Sequence, residues 1–408
     1  MERTTSTPAH SPHRTPARTP RRAAKPWLAA AVVATLSLPV LAAPAGAAGP
    51  GGGHAPGPGA GTTACAYGYT SDATVWFGAG ADSGVTNHET RAGCTVMDEI
   101  MAGAPLRTHG QFVRTVTSVT KDLVRERVLT GGERRDILRA AAASKVGKPH
   151  PVTGKRSVDL SAIGLVGYTV RATMPTDAEG TLAALAGCGF QNIEPSGSAG
   201  NFYGYTAAEL APLTDAAGIE VPSLGVSLSN LQNDVDLVAT EAHAIGAKYV
   251  RISGSGSWTL ADYSRTAAIL NEAGEALSAE GIRVAYHNHG YEFETEEDGV
   301  TGYDVLVRET NPAFVTMELD VYWAASTETA ATDLFARYPG RFELLHLKDI
   351  AEDGSFADVG AGTIDFAEIF AAAPLAGVRY GFTENDQPSP DGVTSACTSL
   401  GYLAELRY

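Results

Sequence analysis

Basic charge is what this 408-residue chain has least of: 30 Lys and Arg stand against 46 Asp and Glu, a formal net charge of -16. So acidic a surface repels nucleic-acid phosphates through its long-range field, which makes DNA or RNA a poor partner. Cysteine is scarce too. There are four, and none shows zinc-finger spacing, which excludes a thiolate zinc module. Beyond residue 47 no segment is long and apolar enough to span a bilayer. Hydrophobic residues still make up 44% of the chain, enough for a sizeable core and too many for a disordered chain.

The N-terminus reads as an export signal. Arg14, Arg18, Arg21, Arg22 and Lys25 form a basic front, and Trp27 to Ala43 is an apolar run interrupted by Pro39. Ala45-Gly46-Ala47 then fits a small-residue cleavage site. The run is too short and too broken for an anchor, so residues 1–47 are expected to be removed, leaving a secreted or cell-surface protein with no membrane attachment. Residues 48–62, rich in Gly, Pro and Ala, read as a flexible leader.

A small segment of different character spans 63–147. Its second half carries apolar stripes at helical spacing, predicting helices over His109–Leu129 and Glu133–Lys145 with Gly131-Gly132 between them. Cys65 and Cys94 flank its front and are expected to pair in an oxidising compartment. This module carries no constellation that suggests chemistry and reads as a packing unit. Residues 148–160 are the linker.

From residue 161 to 408 the rhythm changes. Short β-rich runs alternate with Ala/Leu stretches every 25 to 35 residues or so, as in consecutive βα units. Strands are predicted at Gly164–Val170, Gln191–Glu194, Val221–Val226, Tyr249–Ile252, Arg283–His287, Val315–Leu319, Glu343–Leu347 and Arg379–Thr383. Gly187, Gly189, Gly218, Gly246 and Gly281 sit just before strands, where a helix C-terminus calls for positive φ. Eight such units in this length predict an α/β fold of the closed (β/α)8 TIM-barrel type. No Gly-rich phosphate loop follows the first strand, which disfavours an open doubly wound sheet. Cys188, on the first barrel helix, and Cys397, on the last, would then be neighbours; they either pair or stay as buried thiols.

Barrel active sites lie at the C-terminal ends of the strands. Strand five runs into Tyr286-His287-Asn288-His289, strand six ends in Glu318-Leu319-Asp320, strand seven in His346-Leu347-Lys348 and strand eight in Thr383-Glu384. Four consecutive strands thus deliver His287, Asp320, His346 and Glu384 to one rim. Singly, each has an ordinary structural use; Asp320, for instance, could cap the next helix. Together, two imidazoles and two carboxylates make a ligand set for one divalent ion: Mn, Co, Fe, Zn or Mg. By strand alternation Glu318 should lie deeper than Asp320.

These residues resemble the sugar phosphate isomerase/epimerase family of xylose isomerase-like TIM barrels, over Ile163 to Arg407. The matching pieces are Gly167-Tyr168-Thr169-Val170-Arg171, Asn192-Ile193-Glu194, Tyr286-His287-Asn288-His289 with Glu292-Phe293, Leu319-Asp320-Val321-Tyr322-Trp323, His346-Leu347-Lys348-Asp349, Gly360 to Phe366, and Glu384-Asn385-Asp386. The resemblance implies a divalent metal and a sugar-like substrate bound through adjacent oxygens. Asp320, His346 and Glu384 match its ligand positions directly. His287 stands where the epimerase branches carry a glutamate, which is more similar to the branch that includes inosose dehydratase. Strand three reads Leu224-Gly225-Val226 where relatives often carry a histidine.

The chemistry expected is proton transfer beside a carbonyl, by an isomerase or epimerase, or by a lyase acting on a keto-sugar or keto-polyol. Candidate catalytic groups are Glu384, Glu292, His289 and Lys348. Candidate substrate contacts are Tyr168, Arg171, Glu194 and Trp323. Export favours a substrate without phosphate. Two other classes fit less well: an abasic-site endonuclease, which needs three metals and a basic rim, and a non-catalytic sugar-binding barrel, whose ligand would bind without metal.

Overall fold

The computed structural model describes residues 65, 69–78, 80–102, 108–254 and 259–408. The expected signal and leader lie outside the described residues. No helix among those described is long and apolar enough to cross a membrane.

Eight parallel strands form one sheet: Ile163–Val166, Asn192–Glu194, Ser223–Val226, Tyr249–Ser253, Arg283–His287, Val315–Asp320, Phe342–Leu347 and Tyr380–Thr383, called barrel strands one to eight. Strand eight pairs with strand one, and the ring continues in register from three to eight. Strands two and three meet through a shorter bridge, where Ile193 donates its N–H to Glu220 and Gly225 donates to Pro195. The result is the (β/α)8 barrel that the βα rhythm predicts. Strand residues are buried on both faces, as in a sheet with helices outside and packed side chains within.

Two boundaries differ from expectation. Strand one stops at Val166, and Gly167–Val170 turns into a 3-10 helix. That turn lifts Tyr168 out of the wall to the rim, where it is 43% exposed. Gly187 lies inside the first barrel helix, Ala178–Cys188, and the left-handed cap is Gly189.

Before the barrel, an antiparallel hairpin of Thr74–Trp76 and Asp82–Thr86 precedes helices Val96–Met101, His109–Arg125 and Gly131–Ala143. The hairpin strands are too short to leave a periodic signal. The second helix ends four residues earlier than its apolar stripe suggests. Arg127, at φ 64, turns the chain, and Thr130 caps the next helix. Phe77 and Phe112 pack edge to face at 5.0 Å. Trp76, Met97 and Met101 share a small cleft with Pro312, Tyr338 and Arg341, which precede strands six and seven. The module therefore packs on the N-terminal end of the barrel, away from the strand ends that carry His287 and His346. Cys65 is joined to Cys94, and Cys188 to Cys397, with Cα–Cα distances of 5.4 and 5.5 Å. The second bridge ties the first barrel helix to the last, across 209 residues of sequence.

Candidate active site

Parallel pairing aligns the strand ends. Asp320 is level with His346 across strands six and seven, and Glu318 is level with His287 across strands five and six. This register gathers His287, Asp320, His346 and Glu384, all buried, with one donor atom from each lying within 4.8 Å of the others. His287 Nε2 is 3.2 Å from Asp320 Oδ2, and His346 Nδ1 is 3.0 Å from Glu384 Oε2. Asp320 serves two purposes. Its Oδ1 accepts from the backbone of Tyr322 and Trp323, capping the helix Val321–Ser326, while Oδ2 faces the cluster. Glu318 lies one layer deeper, beneath His346.

Two mixed N/O pairs at this spacing fit a divalent cation. His287 faces the cluster through Nε2, and its Nδ1 is buried without a hydrogen-bond partner. Burial and the neighbouring His346 charge hold the His287 pKa well below its ordinary value, so its imidazole is neutral at neutral pH, the form that binds metal. Burial raises the Asp320 pKa to about 6, although Lys348 pulls the other way. Burial acts likewise on Glu384, but the Lys348 and His346 charges outweigh it and hold that carboxyl below the usual range.

Lys348 brings an ammonium into this cluster beside His346. Its Nζ lies 3.2 Å from Asp320, 2.8 Å from Glu384 and 3.1 Å from Asp386. Those carboxylates overcome the cost of burial and raise its pKa well above the ordinary lysine value.

A cavity of about 590 Å³ opens above, lined by His287, His289, His346, Lys348, Glu384 and Asp386 together with residues of strands three and four and of the segments that follow strands one to three. Tyr168 and Arg171 stand at its mouth, with the guanidinium 4.0 Å from the ring centre. Arg171 donates to the backbone oxygens of Tyr168 and Asp386, so it is a braced wall rather than a free anion hook.

Three expected contacts lie elsewhere. Glu194 does not face substrate; it is fully buried below His346, with its Oε2 2.9 Å from His346 Nε2. Strand two ends at Glu194, whose side chain enters the barrel interior. Trp323 does not line the cavity but packs behind His289, with ring centres 5.5 Å apart. Glu292 is also fully buried and off the cavity. It lies on a short helix, Tyr291–Glu294, and accepts from the Tyr286 hydroxyl at 2.7 Å and the His289 N–H at 2.8 Å, which makes it a support for His289.

Burial raises the Glu292 pKa to about 7, against the donors that face it. A carboxyl raised this way stabilises the fold below its unfolded pKa of about 4.5, and that contribution is lost as pH rises through about 7. Glu292→Gln is therefore expected to flatten the metal-free protein's stability profile between those values, measured by urea unfolding at several pH values.

Sequence reading passed over Arg251, Ser223 and Asp386. Arg251, on strand four, is buried and bonds Glu194 Oε2 at 2.8 Å and Ser196 at 2.8 Å. The signal was a charged residue inside the β run Tyr249-Val250-Arg251-Ile252. Gly225 explains the missing histidine of strand three: a Cβ there would come within 3.2 Å of the Arg251 guanidinium carbon and 3.0 Å of a backbone oxygen.

A parallel eight-stranded barrel with an imidazole and carboxylate cluster at the C-terminal ends of strands five to eight defines the class: a TIM barrel built around its mouth. Residues 182–379 match the family described as xylose isomerase-like TIM barrel. The match ends just before strand eight and Glu384. A sugar phosphate isomerase/epimerase from Parabacteroides distasonis ATCC 8503 is similar with a TM-score of 0.53 and 23% identity, over 62% of this chain and 98% of its own. A second protein of that description from the same organism has a TM-score of 0.53 and 22% identity, over 59% and 96%. At these identities the likeness is one of fold. No curated protein matches the chain.

Proposed function

We propose that this chain is an exported, divalent-metal-dependent enzyme that isomerises or epimerises a sugar or keto-sugar by moving a proton beside its carbonyl. One observation carries the reading: four donor atoms from four consecutive strand ends lie within 4.8 Å of one another at a cavity able to hold a sugar. His287, Asp320, His346 and Glu384 would hold the ion. Bound there, a divalent cation supplies Lewis-acid stabilisation of the negative charge that develops on a carbonyl oxygen when the α-proton leaves.

The rest is the work of side chains. His289 lines the cavity, and burial with the Lys348 charge lowers its pKa to about 4, so at neutral pH it is an unprotonated imidazole able to accept a proton. Glu384 holds a carboxylate on another wall. Lys348 places an ammonium where it can donate to a developing oxyanion. Tyr168 offers an exposed ring at the mouth against the apolar face of a sugar.

Lyase action on a keto-sugar or keto-polyol is the second reading. It is favoured by the cavity having an imidazole, not a second glutamate, opposite Glu384. Export is supported by the basic front and apolar run of residues 1–47, and by both cysteine pairs standing as disulfides.

The test is metal analysis followed by α-proton exchange in deuterated water on a panel of keto-sugars. Metal-dependent exchange is expected, stopped by chelation and restored by re-addition. An isomerase returns an isomer, whereas a lyase returns an unsaturated product one water lighter. Sugar binding that persists without metal, with no exchange on any member, would assign a non-catalytic barrel instead.

A further inference from the structure

We infer that Glu194 positions His346 so that its Nδ1 faces the metal, and that Arg251 makes the lower acidic cluster the floor of a single-ion site. The inference rests on the metal reading above and concerns residues beneath the cluster.

His346 is shared by two groups of possible ligands. One is the four-residue group at the mouth; the other is Glu194, Glu318 and His346, whose donor atoms also lie within 4.8 Å of one another. The two groups meet opposite edges of the ring. Nδ1 is 3.0 Å from Glu384 and 3.9 Å from Asp320, whereas Nε2 is 2.9 Å from Glu194 and 3.3 Å from Glu318. Either the lower group holds a second ion, or it holds the proton on Nε2.

Arg251 decides between these. Its Nε lies 2.8 Å from Glu194 Oε2 and 3.4 Å from Glu318 Oε2, so a cation already occupies the lower group. A second divalent ion would have to share those oxygens with a buried guanidinium. Glu194 is itself fixed from three sides. Ser223 donates to Oε1, Arg251 donates to Oε2, and the remaining contact of Oε2 is with His346 Nε2. Glu318 Oε2 stands farther off, 3.3 Å from His346 Nε2 and 3.4 Å from Arg251 Nε, and neither of its oxygens has a hydrogen-bond partner. A metal-ligating imidazole that gives its other N–H to a carboxylate is held in one tautomer and one ring orientation. Strand two therefore sets the geometry of a ligand on strand seven, from across the barrel.

The experiment is a calorimetric titration of the metal-free full chain with Mn²⁺, with Co²⁺ absorption spectra in parallel. Wild type is expected to bind one ion. Glu194→Gln keeps the shape but removes the charge, and is expected to weaken binding roughly 10–100-fold and to change the Co²⁺ visible bands; it also takes a partner from the buried Arg251, so its metal-free melting temperature should fall, and affinities are compared below that temperature. Ser223→Ala, which frees Glu194 to rotate, should show the same changes to a smaller degree. Two ions of comparable affinity on wild type would overturn the inference. So would a folded Glu194→Gln protein with wild-type affinity and spectrum. Should that variant not fold, a folded Ser223→Ala with an unaltered spectrum and affinity overturns it instead. If wild type binds no ion, the metal reading fails first, and a one-site wild type with an indifferent Glu194→Gln sinks this inference alone.

Discussion

Asp320→Ala is expected to leave dialysis without stoichiometric metal and to show no α-proton exchange on any sugar that wild type accepts. The side chain is fully buried, and its Oδ2 faces both His287 and Lys348. Losing an outer-shell partner of a metal ligand typically costs about 10–100-fold in affinity, so losing a ligand itself should cost at least that much. Alanine also removes the cap on the helix Val321–Ser326, worth about 1 kcal/mol. Asp320→Asn separates the two effects. The amide oxygen can still accept from Tyr322 and Trp323, while the ligand charge is gone, so its melting temperature should return toward wild type and its metal content should not. His346→Ala is expected to match Asp320→Ala in metal content. Stoichiometric metal in both alanine variants, measured by elemental analysis, would remove the proposed site.

What could be read from the chain and what could not divide along a physical line. Most barrel strands are short, largely apolar runs between helical stretches, so their existence follows from composition and period. His287, Asp320, His346 and Glu384 could be found because each closes such a run, and the barrel's parallel register does the rest. Glu194 also closes a strand, yet its side chain turns down into the interior, toward Arg251 and Ser223. Nothing local distinguishes it from Glu384; the difference lies in partners on strands three and four. Glu292 and Trp323 fail for a related reason. Both follow strand ends on short helices, and the direction of the first helical turn sets which side of the rim they meet. Tyr168 reached the mouth because strand one breaks at Gly167, where a Cβ would come within 3.3 Å of the Glu194 backbone oxygen.

Lys348→Met is expected to move fold stability and metal affinity in opposite directions. In the metal-free protein the ammonium, with the His346 charge beside it, compensates Asp320, Glu384 and Asp386, and it is only 2% exposed. Breaking a buried ion pair from one side typically costs about 3–5 kcal/mol, because the partners are left charged in a poor solvent. The metal-free variant should therefore melt well below wild type at neutral pH. Its carboxyls, freed of the cation, should titrate higher in the folded state than unfolded. Stability from such groups is complete below the unfolded carboxyl pKa and is lost as pH rises through the folded one, so the deficit should shrink in acid. Metal reverses the balance. The same carboxylates would meet a divalent ion without a competing ammonium about 3 Å away, so the variant should bind Mn²⁺ more tightly than wild type and gain more melting temperature on loading. Activity should still fall, since the donor proposed to meet the developing oxyanion is gone. Thermal melts with and without Mn²⁺, beside calorimetric affinities, check each limb. A metal-free variant as stable as wild type, or one that binds metal more weakly, would mean that Lys348 does not act as the cluster's stand-in cation.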